Sequence, residues 1–267
     1  MTGDIKVGII GGTGQLGSAI AGAWLDSGCV KPDHLWISNR SGTSAGFESW
    51  PEITFTPSNQ LLADACDVIL LSVPPALVDT VRISATDKLI LSVMAGVSRD
   101  RLKAITGSDR VVRAMSSPAA GKRLAYSPWC AASSLTPADR KRVQTLLSAC
   151  GPSDEVADEQ QIEVFTAITG PVPGFAAFFA DCLVEYARAN GVERHIAERA
   201  AKQLILSAGQ IMAGDPRSPA ENVQEMVDYA GTTAAGLLKL KELGVADLIG
   251  EGLEASTARV RTIAGPD

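Results

Sequence analysis

Apolar residues along this chain follow two rhythms, and the change between them falls near residue 151. In the first half, short, mostly apolar runs at 5–10, 34–38, 68–73, 88–94 and 111–115 alternate with helical patterns. Those helical segments lie at 15–27, 59–66, 76–82 and 99–105. Strands that are apolar on both faces and separated by helices predict a parallel sheet covered on both sides. A further helix is expected after Thr136, an N-cap residue followed by Pro137, with an apolar stripe through Val143, Leu146 and Leu147.

Beyond Gly151 the strand pattern stops, save for a short candidate near 155–157. Phe175, Phe178, Phe179, Cys182, Leu183 and Tyr186 recur at i, i+3, i+4, i+7, i+8 and i+11, one wide helical stripe. Leu204, Ile205, Ala208, Ile211 and Met212 repeat it in a second helix, and three shorter helices follow, divided at 215–219, at 230–231 and at Gly244. The chain therefore reads as an α/β domain over residues 1–157 and an all-α domain over 158–267.

Composition narrows the class. The formal charge of −6 gives no basic stripe for a nucleic acid. Five scattered cysteines with no CxxC pair suit reduced thiols rather than a disulfide framework or a metal centre. The opening MTGDIKVG leaves no room for a signal peptide. The most apolar stretch, 164–180, holds Gly170, Pro171, Pro173 and Gly174, which are expected to break any membrane span. A soluble cytoplasmic protein is the expectation, with no nucleic-acid or membrane partner.

One glycine cluster stands at a strand–helix junction. Gly12-Thr13-Gly14-Gln15-Leu16-Gly17 is a G-x-G-x-x-G that closes the first strand and opens the first helix. In that setting the glycines serve a tight turn, close approach to a pyrophosphate, and close helix–strand packing. The phosphates would rest on the helix N-terminus, where free N–H groups favour negative charge. This is the signature of a Rossmann-like fold.

The choice of dinucleotide falls at the end of the second strand. NAD sites usually place an acid there, for the ribose 2′-OH. Here the strand ends Ser38-Asn39-Arg40-Ser41, with no acid until Glu48. A guanidinium fork with neighbouring hydroxyls suits a 2′-phosphate, so NADP(H) is favoured over NAD(H). Val73 and Pro74 after the third apolar run, and Ala95 and Gly96 after the fourth, are small or rigid residues expected to floor the same crevice.

With these residues in view, the chain resembles the pyrroline-5-carboxylate reductases over about residues 5–260. The likeness rests on "IGGTGQLGSAI", "SNRS", "LSVMAGVS", "VVRAMSSPAA", "TAITGPVPGFAAFFADCLVEYARANGV" and "AGTTAAGLLKLKELGVADLI". The resemblance implies a nucleotide-binding domain and a helical domain that dimerises and carries the substrate. It implies reduction of a cyclic imine carboxylate by NADPH, in a homodimer or a larger homo-oligomer. It further implies that Gly231, Thr232 and Thr233 hold the substrate carboxylate, with Thr233 at the family's threonine position; the competing reading of this turn is a helix N-cap. The chain departs from the family at Pro74-Pro75-Ala76, Met115-Ser116-Ser117-Pro118, 169–173 and Asp228-Tyr229-Ala230. These changes leave open a reductase of a different imine.

The chemistry fits a chain poor in acid–base side chains. A protonated C=N carbon is already electrophilic, so positioning supplies much of the catalysis. The two histidines, His34 and His195, lie where a structural or surface role is expected. A hydroxy-acid dehydrogenase would need a base, and the helical lysine of one such class lacks its asparagine partner here, because Leu206 stands four residues after Lys202. Two further alternatives remain: a deazaflavin-dependent NADP reductase, and a non-catalytic NADP(H)-binding sensor or scaffold.

Overall fold

The computed structural model of the chain describes residues 5–44 and 46–263. The first four residues of the expected leaderless start and the last four of the expected helical domain lie outside the described residues.

The chain divides into two compact units. The first runs to Gly170 and takes up again from Ser256, and the second is Pro171–Ala255. The first unit is a seven-stranded sheet in the order β3-β2-β1-β4-β5-β6-β7. Its strands are β1 (Val7–Ile10), β2 (Leu35–Ser38), β3 (Thr54–Thr56), β4 (Val68–Leu71), β5 (Leu89–Ser92), β6 (Val111–Ala114) and β7 (Trp129–Ala131). All neighbouring pairs are parallel except β6–β7. The five expected strands are present, each trimmed to its fully paired residues. β3 and β7 were not anticipated, and the candidate at 155–157 is a single bridge from Glu155 to Trp129.

Helices cover both faces, as continuous apolar strands require. On one face α1 (Gln15–Asp26) and α4 (Pro137–Ser148) share a core with Ile9, Leu35, Leu70 and Leu91. Trp24 is fully buried there, and its indole N–H donates to Leu146 O at 2.8 Å, tying α1 to α4. On the other face Leu62 of α2 (Asn59–Ala65) and Leu102 of α3 (Arg99–Thr106) pack over Ile69 and Ile90. The helix expected at 76–82 is a 3-10 segment, Pro75–Val81. The start of α4 is as expected: Thr136 and Asp139 form a reciprocal capping box ahead of Pro137.

α5 (Glu159–Thr169) packs on β6 and β7, so packing joins this helix to the sheet unit. Its Glu159 accepts from Arg99 Nε at 2.9 Å and from buried Arg113 Nη1 at 2.9 Å. Burial would raise the Glu159 carboxyl, but these bonds outweigh it and hold the group below the usual carboxylate range.

The second unit is wholly helical: α6 (Val172–Ala189), α7 (Arg194–Gly214), α8 (Pro219–Asp228), α9 (Thr232–Glu242) and the first part of α10 (Val245–Ile263). The expected breaks fall at 215–218, 229–231 and 243–244, but α10 is long rather than short. The glycines and prolines at 170–174 interrupt helix less than expected. Pro173 falls in the first turn of α6, where its missing N–H costs no hydrogen bond. Among the described residues of this unit, only Val184, Ala197, Ala201 and Ala234 are buried. Phe178, Tyr186 and Ile211 are 73%, 74% and 72% exposed, so the apolar stripes read from the sequence face outward.

Candidate functional site

The chain leaves β1 through a turn that only glycine can make. Gly11 has φ of +86°, and a Cβ on it would sit 2.6 Å from Ser72 O. The turn is held to both neighbouring strands, with Gly11 N–H on Ser38 O at 3.0 Å and Ser72 N–H on Ile10 O at 2.9 Å. Gly14 caps α1 with extended backbone and without a side-chain bond. The first bond inside the helix runs from Ser18 N–H to Gly14 O, leaving the amides of Gln15, Leu16 and Gly17 at the open helix end. Gly17 lets that end approach the turn: a Cβ on it would stand 2.5 Å from Gly11 O. Gly12 is buried with Ile37 against the place where its Cβ would be, whereas Thr13, Gly14 and Gln15 are exposed.

Beyond the turn lies a cleft of about 650 Å³, at the point where connections from β1 and β4 leave the sheet in opposite directions. Gly11, Thr13 and Gly14 line one wall, 38–41 and Thr43 a second, and Ser72, Val73, Pro74, Leu77 and Thr80 a third. Among these lining residues Arg40 is the one that carries a charge, and it is exposed with no ion pair among the described residues. Among the described residues no carboxylate lines the cleft. The next acid after Arg40 in the sequence, Glu48, accepts from Gly46 N–H at 3.0 Å, a bond that holds its carboxyl below the usual range.

The sequence-read cofactor residues separate into four groups. Thr13, Gly14, Arg40, Ser41, Val73 and Pro74 line the cleft, whereas Gly12, Gln15, Leu16 and Gly17 form the turn and helix start beside it without lining it. Ser38 and Asn39 line it, but their side chains are engaged: Ser38 donates to Asn59 Oδ1, and Asn39 bonds within its own loop. Ala95 and Gly96 do not line it. β5 is one strand removed from the switch point, and Ala95 turns instead to a small cluster of Met115, Cys130 and Ile162. Thr43, Asn59 and Thr80 went unnoticed in the sequence; the run "SNRSGTS" held the one available signal, for Thr43.

In the second unit, Gly231 is the N-cap of α9, with no side-chain cap bond. Thr232 and Thr233 therefore occupy the first helical turn, and neither is the cap. Both are exposed, and the first bond inside the helix is Ala235 N–H to Gly231 O at 3.3 Å, so three amides are open there. Ala230 before it holds a left-handed φ of +56°, a conformation that glycine adopts without strain.

A parallel sheet in this order, with a glycine turn at its switch point, is a Rossmann-type domain. Residues 6–96 match the family described as NADP oxidoreductase, coenzyme F420-dependent, and residues 159–263 match pyrroline-5-carboxylate reductase dimerisation. A pyrroline-5-carboxylate reductase of Synechocystis is 26% identical over 96% of this chain and 97% of its own length. That of Escherichia coli is 26% identical over 90% and 91%. A solved pyrroline-5-carboxylate reductase from Coxiella burnetii superposes with a TM-score of 0.87 at 22% identity, covering 98% and 99% of the two chains. The Plasmodium falciparum pyrroline carboxylate reductase, solved with NADP bound, gives 0.81 at 22% identity over the same shares. Over nearly its whole length the chain is similar to pyrroline-5-carboxylate reductases.

Proposed function

We propose that this chain reduces a cyclic imine carboxylate with NADPH, taking pyrroline-5-carboxylate to proline. The observation that carries the reading is the end-to-end correspondence with reductases of that name, in a chain whose switch-point cleft retains the parts such a cofactor needs. The open amides of Gln15, Leu16 and Gly17 suit a pyrophosphate. Arg40, with no competing carboxylate, suits a 2′-phosphate and disfavours NAD(H). A nicotinamide bound there would supply the hydride. The chain's own task is to seat and orient the imine: no histidine or lysine lines the cleft, and a substrate that arrives protonated needs none.

For the carboxylate we assign the Gly231–Thr233 turn, whose open amides and exposed Thr233 hydroxyl offer donors to an anion. The helical domain, proposed as 158–267 beside a nucleotide-binding domain of 1–157, would form a homodimer or larger homo-oligomer through its exposed stripes. Residues Glu159–Ala189 are long and apolar enough to cross a membrane by length and composition. The dimerisation match over the same segment supports a second copy of the chain as the cover instead. Among the described residues no cysteine forms a disulfide, as a reducing compartment would leave them.

A different imine is the second reading, favoured by Pro74-Pro75-Ala76 and by Ala230 at a left-handed corner. The deazaflavin reading draws on the match at 6–96 but leaves the helical tail unexplained. The test is oxidation of NADPH by the purified chain with pyrroline-5-carboxylate, with other cyclic imines, and with an oxidised deazaflavin. Turnover on the first supports the proposal. Turnover only on another substrate moves the specificity, and NADPH binding without any turnover leaves a sensor or scaffold.

A further inference from the structure

We infer that Asn39 is a positioning residue for dinucleotide selection: its carboxamide holds the loop that turns Arg40, Ser41 and Thr43 toward one phosphate. The inference rests on reading the cleft as an NADP(H) site.

A carboxamide offers two N–H donors and two acceptor lone pairs. Asn39 spends three of these on its own loop. Nδ2 donates to Thr43 O at 2.9 Å, while Oδ1 accepts from Gly42 N–H at 2.7 Å and from Ser41 Oγ at 3.2 Å. Its backbone N–H donates to Thr56 O at 3.2 Å, which ties the loop to the end of β3. An asparagine side chain bonded to following backbone groups is a turn-forming device, and here it folds five residues on themselves.

Gly42 completes the turn. Its φ is +65°, and a Cβ on it would stand 2.8 Å from Pro57 Cδ, so the loop is pressed against a wall of the cleft. The result brings Ser41 Oγ within 2.8 Å of Thr43 Oγ1 and leaves both lining the cleft beside Arg40. Among the described residues Arg40 makes no ion pair, so its placement comes from the backbone that Asn39 braces. On this reading the braced loop faces the 2′-phosphate, the group that distinguishes NADPH from NADH. A loop that must order itself on binding loses affinity for that group alone.

The experiment is calorimetric titration of the full chain with NADPH and, separately, NADH. It compares the wild type, Asn39→Ala, Asn39→Ser, Arg40→Ala and the Asn39→Ala/Arg40→Ala double variant. Asn39→Ala should weaken NADPH about tenfold while changing NADH less than about threefold. Asn39→Ser keeps an acceptor and should fall between, and it carries the comparison if the alanine variant fails to fold. With Arg40 already removed, Asn39→Ala should cost NADPH less than about threefold, because the two act on one contact. Equal loss for both dinucleotides, full additivity with Arg40→Ala, or no effect of Asn39→Ala overturns the inference. If Arg40→Ala itself weakens both equally, the reading of the cleft fails first and the inference falls with it.

Discussion

Gly17→Ala tests the glycine turn at its tightest point. The added methyl carbon would lie 2.5 Å from Gly11 O, 2.9 Å from Gly12 Cα and 3.2 Å from Gly11 C. All three are backbone atoms of the turn, so no flexible side chain can give way. Reaching ordinary contact requires the start of α1 to move by about 0.5–1 Å, an overpacking change that costs about 1–3 kcal/mol. That movement carries away the amides of Gln15, Leu16 and Gly17 from the place where a pyrophosphate would rest. Because NADPH and NADH share the pyrophosphate, both should weaken together, by about ten- to a hundredfold. Gly22 on the same helix is the control: nothing lies within 4 Å of the Cβ it would gain. Gly22→Ala should leave binding unchanged and add about 0.5–1 kcal/mol of stability through helix propensity. Calorimetric titration of both dinucleotides, with thermal melting of the free protein, reads each effect. Unchanged affinity in Gly17→Ala, or a loss confined to NADPH, would refute the reasoning.

Other outcomes follow from the same structure. Arg40→Ala should cost NADPH about 1.5–3 kcal/mol in titration and leave NADH nearly unchanged. Thr233→Val should lower kcat/KM by about tenfold to a thousandfold with NADPH affinity intact, and normal turnover would move the carboxylate site elsewhere. Light scattering should give at least twice the chain mass for the wild type, and Phe178→Asp with Ile211→Asp should reduce it to a monomer; a monomeric wild type contradicts this. Stability should fall as pH drops from about 5 to about 2 in denaturant titrations, with the contribution of the Asp139 and Glu159 carboxylates fully present above that range. Burial raises the Asp139 carboxyl, but bonds from Arg110 and Thr136 and the Arg110 charge outweigh it and bring the group down to about 2. Glu159 is lowered in the same sense, so both stabilise above their unfolded pKa and cease to as pH falls through the folded value. Asp139→Asn should flatten that acid limb.

The sheet was legible because its central strands are buried on both faces and therefore apolar without alternation. β3 and β7 were not, for a physical reason: each has three residues at an edge of the sheet, and Thr54 and Thr56 break the apolar run. The 3-10 form of Pro75–Val81 escaped notice because its apolar spacing also fits an α-helix. In the site, backbone roles were easier to read than side-chain ones. Glycine spacing located the turn, and the missing acid after β2 pointed to Arg40. What Ser38 and Asn39 do depends on partners such as Asn59 and Thr43, which local folding brings near and no periodicity marks. Ala95 and Gly96 follow β5, one strand removed from the switch point, and they do not line the cleft. The sequence alternatives at the second turn narrowed too, since Gly231 takes the cap position and leaves Thr233 inside the helix.

The central claim is that this chain transfers hydride from NADPH to the carbon of a cyclic imine. Its most direct test supplies NADPH carrying deuterium at the transferable position of the nicotinamide, with pyrroline-5-carboxylate and the purified protein, and analyses the product by mass spectrometry. Proline carrying one deuterium at the former imine carbon, formed faster with NADPH than with NADH, is the expected result. NADPH bound without labelled proline, or labelled product from a different acceptor only, would contradict the account.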